Sequence, residues 1–242
     1  MLKTLGIIVI GDEILNGMVI DCNSVFFTQK LRLSSIRVSK IAVIPDDIDE
    51  IAQEVRVFSE RFDYVFTSGG IGPTHDDVTI DGIAKAFNVE VVIDEALENV
   101  LKGLYNDKLT VEALKMASVP KGAALITDDT IRFPLIQYRN IFIFPGIPRY
   151  LKEKFYVIEK MFESGTVFFK KVFLTEYESR IAPFLNEVVR SHKDVKIGSY
   201  PVLDDSRYRV VLTFEALDRG RIESAVAMLK ESPIRSSIVE AV

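Results

Sequence analysis

The stretch from Thr67 to Thr79 (Thr-Ser-Gly-Gly-Ile-Gly-Pro-Thr-His-Asp-Asp-Val-Thr) restricts the fold more than any other part of the chain. An apolar run, Tyr64-Val65-Phe66, precedes it, and a helical pattern from Ile80 to Phe87 follows it. A strand, a glycine-rich turn and a helix start form the arrangement that binds phosphate. Glycine lets backbone N–H groups approach an anion, and the helix N-terminus adds positive potential. Carboxylates in the same turn would repel a phosphate, so Asp76 and Asp77 imply a divalent cation beside it.

Around this turn the chain alternates between strand and helix patterns. Leu5–Ile10 is continuously apolar, as a parallel strand covered on both faces would be. Asn23 is placed to cap a helix over Ser24–Leu33, and Ile36–Ile44 is the next strand. Asp47-x-x-Glu50 opens a helix that reaches Arg61. Further strands are expected at Val89–Ile93, Ala123–Thr127, Arg132–Tyr138 and Ile141–Phe144. Helical patterns cover Glu95–Tyr105, Thr110–Ala117 and a segment from Pro148 to about Ser164. This order predicts an α/β fold on a mainly parallel sheet over residues 1–166. A shorter β-α-β-β-α pattern over 167–242 predicts a small α+β appendage.

Three corners follow apolar strands: Gly11-Asp12-Glu13, the loop Ser68–Asp77, and Pro145-Gly146-Ile147-Pro148. If those strands are parallel, all three corners meet at the carboxyl edge of the sheet, where open α/β sheets bind ligands. Each residue also has a plainer reading. The glycines serve a tight turn, Asp76 or Asp77 caps a helix, His75 bonds to backbone, and Asp12 and Glu13 solvate a strand end. A plain turn does not need so many polar residues. Other phosphate motifs are missing. The glycines do not follow G-x-G-x-x-G, no Gly-Lys-Ser/Thr follows them, and Ser68 lacks a Gly-x-Ser-x-Gly context.

The formal net charge of −5 argues against a nucleic-acid partner, which needs a basic face. Cys22 is the single cysteine, so no internal disulfide or multi-thiolate zinc site forms. No apolar run reaches the roughly 18 residues of a membrane span. A cytoplasmic protein with no membrane partner is expected.

With these residues in view, the chain resembles the molybdopterin-binding domain superfamily of the MogA/MoaB type. Thr74-His75-Asp76-Asp77 is similar to its CinA-related branch. Gly11-Asp12-Glu13-Ile14-Leu15, Asn23, Pro145-Gly146-Ile147-Pro148 and Ile197-Gly198-Ser199-Tyr200-Pro201 also match that branch. The resemblance implies a three-layer α/β/α domain, a nucleotide-diphosphate ligand, a divalent metal and a homo-oligomer. CinA-like N-terminal modules are associated with metal-dependent hydrolysis of ADP-ribose. The related module of eukaryotic FAD synthases is associated with FAD hydrolysis. Both reactions release AMP. Many CinA proteins add a domain that deamidates nicotinamide mononucleotide. This chain is expected to be a stand-alone N-terminal module without that activity.

The expectation is therefore water attack on a pyrophosphate, aided by Mg²⁺, Mn²⁺ or Co²⁺. Asp76 is the first candidate metal ligand, Asp77 the second, and His75 a further catalytic candidate. Ser68, Gly69, Gly70, Gly72 and Thr74 would hold phosphate oxygens. Asp12 and Asn23 would orient the nucleoside or a second metal-bound water, and Gly146 would let the third corner come close. The rival expectation is a molybdopterin-binding or adenylyl-transfer protein of molybdenum cofactor biosynthesis.

Overall fold

A computed structural model of the chain describes residues 3–32, 34, 36–162, 167–203, 205 and 207–242. The chain forms two compact units, Met1–Ser164 and Gly165–Val242. The boundary expected at Thr166 lies outside the described residues, as do the helix ends expected at Leu33 and Ser164.

In chain order the first unit comprises β1 (Lys3–Ile10), α1 (Asp12–Leu15), α2 (Asn23–Leu31), β2 (Ile36–Ile44) and α3 (Ile48–Arg61). Next come β3 (Tyr64–Ser68), α4 (Thr79–Phe87), β4 (Val91–Ile93), α5 (Glu95–Tyr105) and α6 (Val111–Leu114). The unit closes with β5 (Ser118–Pro120), β6 (Ala124–Ile126), β7 (Leu135–Tyr138), β8 (Ile141–Phe144) and α7 (Pro148–Ile158). The main sheet has the order β2-β1-β3-β8-β7-β6. Its first four strands are parallel, and β7 and β6 are antiparallel. The helix expected over Thr110–Ala117 is a four-residue α6 with a 3-10 turn after it. Strand β5, which pairs with β4, was not foreseen because its three residues carry no period.

Alternation along β1 explains the three layers. Leu5, Ile7 and Val9 face one core with Phe27 and Leu31 of α2 and Leu151, Phe155 and Ile158 of α7. Ile8 and Ile10 face a second core with Ile51, Val55 and Phe58 of α3 and Ile80 and Ile83 of α4. Because successive side chains point to opposite faces, a continuous apolar strand feeds both layers. The first core is rich in phenylalanine. Phe66 is fully buried, 5.0 Å from the Phe27 ring and 5.1 Å from the Phe144 ring. Truncating such a residue to alanine costs about 3–5 kcal/mol.

The second unit contains β9 (Phe168–Leu174), α8 (Glu178–Ser191), β10 (Lys196–Pro201), β11 (Val210–Ala216), α9 (Arg219–Glu231) and β12 (Ile238–Ala241). Its antiparallel sheet has the order β10-β11-β9-β12. The expected β-α-β-β-α pattern thus gains a last strand. β12 is four residues long, and only its pairing with β9 defines it.

Candidate active site

Parallel β1, β3 and β8 bring the three expected corners to one edge of the sheet. β2 adds a fourth, Pro45-Asp46-Asp47. The Asp47 side chain caps α3 by accepting from the Asp49 and Glu50 N–H groups. Asp46 turns the other way and accepts the Asp12 N–H at 2.9 Å. The Gly11 N–H donates to Ile44 O at 3.1 Å, which closes the first corner against the fourth.

The glycine loop is held from several sides. Gly69 has φ 111° and Gly70 φ 66°, both left-handed. A β-carbon on Gly69 would lie 2.1 Å from Ile10 O, and one on Gly70 would lie 2.3 Å from Thr79 Oγ1. That Thr79 hydroxyl donates to Gly69 O at 2.9 Å. The Gly69 N–H donates to Phe144 O at 3.1 Å, so it prolongs the sheet and is not free for a ligand. No protein acceptor takes the N–H groups of Gly70, Ile71 or Gly72 among the described residues. The three consecutive residues that carry these amides line a cleft of about 990 Å³. An array of unpaired amides on a glycine turn is an anion-binding concavity.

Carboxylates flank this array. A β-carbon on Gly70 would stand 3.5 Å from Asp46 Oδ1, and one on Gly72 would stand 2.6 Å from Asp77 Oδ2. Burial pushes the Asp46 carboxyl above its ordinary range. The Asp12 N–H opposes that shift, while Glu13, Asp12 and Asp76 reinforce it. Asp76 is shifted the opposite way. The Thr74 hydroxyl is the largest influence holding it below the ordinary range, and His75 and Lys115 add to the effect. The hydroxyl stands beside both acids, and its hydrogen bond in the structure goes to Asp77 Oδ2, at 2.5 Å.

The expected site residues fall into two groups. Gly69, Gly70, Gly72, Asp76, Asp77 and Gly146 line the cleft, together with Glu13 of the first corner and the unforeseen Asp46 and Lys154. Ser68, Asn23, Thr74, His75 and Asp12 do not. Ser68 and Asn23 are buried. The Asn23 amide donates to Ser68 Oγ at 2.9 Å and to Gly146 O at 2.7 Å, tying the second and third corners together. Nor does Asn23 cap α2. Asp21 does so by accepting the Asn23 and Ser24 N–H groups. Thr74 is occupied within the loop, where its N–H donates to Asp77 Oδ2 at 2.8 Å and its carbonyl accepts from Lys115 Nζ at 2.8 Å. Asp77 is thereby a loop brace. The His75 side chain is 98% exposed, 3.8 Å from Asp76. Of Asp12, the backbone N–H is what engages the site, through Asp46. A β-carbon on Gly146 would lie 3.4 Å from Gly69 Cα, so the third corner packs on the glycine loop without needing a glycine for that contact.

Apolar side chains also line the cleft, among them Leu104, Tyr105, Met116, Ile131 and Phe133. A cleft that offers both backbone amides and apolar surface suits a nucleotide, whose phosphates and rings need opposite surroundings. Residues 6–163 match the family described as a probable molybdopterin binding domain. The chain belongs to this family. Residues 166–242 match the middle domain of FAD synthase.

Individual proteins are also similar over most of this chain. A protein of Archaeoglobus fulgidus is 36% identical over 225 residues, covering 93% of this chain and 96% of that one. The probable FAD synthase of Caenorhabditis elegans is 31% identical over 257 residues and covers 95% of this chain. The match takes in 50% of that protein, so the chain spans about half the length of such relatives. The solved structure of CinA from Thermoplasma acidophilum, described as of unknown function, superposes with a TM-score of 0.60 at 32% identity. It covers 66% of this chain and 97% of that one. Among the described residues no helix is long and apolar enough to cross a membrane.

Proposed function

We propose that the cleft binds a nucleoside diphosphate derivative of the ADP-ribose or FAD type and cleaves its pyrophosphate with water, releasing AMP. The observation that carries this reading is the row of unpaired amides, Gly70 to Gly72, set between Asp46 and Asp77 on one cleft. Amides without acids would bind a phosphate alone, and acids without amides would repel it. Both together suit a phosphate that arrives with a cation.

A divalent metal fits this donor set in one particular way. Among the described residues no three His, Cys, Asp or Glu side chains are grouped to hold an ion by themselves. Mg²⁺ does not require that, since it keeps several waters and takes one or two carboxylates together with substrate phosphates. Asp76, held ionised by its surroundings, and its neighbour Asp46 would be those carboxylates. When bound, such a cation neutralises pyrophosphate charge and lowers the pKa of a coordinated water. The protein's own share is positional. The amides of Gly70, Ile71 and Gly72 hold phosphate oxygens and stabilise charge that grows on them. Asp77 and Lys115 keep the loop in shape through Thr74. His75, in solvent, is given no step.

The wider family favours a second reading, because its description names molybdopterin and some relatives are probable FAD synthases. In that reading the same cleft holds a pterin or transfers an adenylyl group. The discriminating experiment incubates the protein with ADP-ribose, FAD, NAD or coenzyme A and with Mg²⁺, Mn²⁺ or Co²⁺. Release of AMP is expected with at least one pair. Tight binding with no AMP under any pair would replace hydrolysis by the second reading.

A further inference from the structure

Lys154 is the least expected residue in the cleft wall. It lies on α7, two turns past the third corner, and is only 5% exposed. Its Nζ donates to Phe133 O and Pro134 O, each at 2.5 Å, and stands 5.0 Å from the centre of the Phe133 ring. A lysine ammonium has three donors, so one remains. No carboxylate forms an ion pair with it among the described residues. The adjacent Glu153 pairs with Arg149 instead. Buried lysines are almost always paired, because an uncompensated charge in a low dielectric is costly. Yet Lys154 borders the same cleft as the glycine loop. Phe133, to which it is bound, also borders a small cavity of about 110 Å³ with Ile71, Gly72 and Asp77. The ammonium, on a residue that lines the same cleft as the glycine loop, is thus fixed by two carbonyls, with one donor and its charge left over.

We propose that Lys154 is the cation that meets a phosphate of the nucleotide in this cleft. The inference rests on the nucleotide reading above and adds to it a direct phosphate contact from a side chain. The cleft lining carries both signs of charge: Glu13, Asp46, Asp76, Asp77 and Glu153 are acidic, and Lys154 and Arg132 are basic. A diphosphate held there would meet a cation on the carboxylates and the bare ammonium of Lys154. Burial lowers the Lys154 pKa to about 8, with Glu153 acting against the shift. An anion placed against the amine would raise that value again.

The test is calorimetric titration of the wild type and Lys154→Met with ADP and with adenosine, in the presence of Mg²⁺ at pH 7. Phosphate contact predicts that ADP binds at least tenfold more weakly to the variant while adenosine affinity stays within twofold. Equal weakening for both ligands would make Lys154 a scaffold residue for the 131–134 segment, and unchanged ADP affinity would remove it from the site. A second measurement needs no variant. At pH 8 the wild type should take up protons when it binds ADP and none when it binds adenosine, read from the heat in buffers of different ionisation enthalpy. Absence of uptake with ADP would overturn the proposal even if the variant misfolds. A wild type that binds no ADP at all would instead overturn the nucleotide reading beneath it.

Discussion

Replacing Lys154 by methionine should change how stability depends on pH, by an amount that follows from the site. The amine is buried between α7 and the carbonyls of Phe133 and Pro134, and burial lowers its pKa from 10.5 to about 8. A lysine with a depressed folded pKa binds its proton less well folded than unfolded. Its penalty is full below pH 8, shrinks as pH rises from 8, and is gone above 10.5. Between pH 7 and pH 10 the wild type should gain about 2.5 kcal/mol relative to Lys154→Met, taking the linkage integral over those two pKa values. The other titrating groups are shared by the two proteins and cancel in the difference. Urea unfolding at pH 7, 8, 9 and 10, followed by far-UV circular dichroism, reads it directly. Both proteins should unfold with the same m-value, so that the midpoints alone carry the change. A difference that stays flat across this range would refute the reasoning. It would mean that the two carbonyls stabilise the ammonium enough to cancel its burial.

Asp76→Asn keeps the side chain's shape and removes its charge. If AMP release is the activity, turnover at saturating metal should fall at least tenfold, about 1.4 kcal/mol of barrier, and full turnover would remove Asp76 from the metal site. Gly70→Val forces a β-branched residue into φ 66° and against Thr79 Oγ1. Equilibrium titration with ADP should show at least tenfold weaker binding, and unchanged affinity would place the phosphate elsewhere. Asn23→Ala leaves the buried Ser68 Oγ without its donor and also removes the donor to Gly146 O. Urea unfolding should show a loss of about 1–3 kcal/mol, and a loss under 0.5 kcal/mol would mean that water replaces the amide.

The corners were readable for a specific reason. Leu5–Ile10, Tyr64–Thr67 and Ile141–Phe144 are apolar runs, each ended abruptly by polar residues, glycine or proline. Such runs are buried parallel strands, and their polar ends gather on one edge. The same logic applies to Ile36–Ile44, but there Asp47 reads as a helix start and Asp46 carries no signal of its own. Asp47 fills that role, and its neighbour Asp46 was left for the site. Ser68 and Thr74 were expected to hold phosphate because hydroxyls do so. Sequence offers no view of competing partners, and here Asn23 and Asp77 occupy them. Lys154 left no signal at all. In an amphipathic helix a lysine is read as solvated, and only the packing of residues 131–134 across α7 buries it.

Local chemistry was enough to predict a glycine turn after a buried strand, the alternation of strands and helices and the family resemblance, because each depends on residues close in the chain. Which donors stay free depended on contacts between residues far apart. The Gly69 amide goes to Phe144, whereas those of Gly70 to Gly72, on the cleft wall, find no protein acceptor among the described residues. His75 points into solvent, although it adjoins the acids in sequence. Asp46 and Lys154 reach the cleft from 24 residues before and 82 residues after Gly70–Gly72. A hydrogen-bond donor or a charge acts on a ligand only if nothing nearer has claimed it, and that competition is settled by tertiary packing.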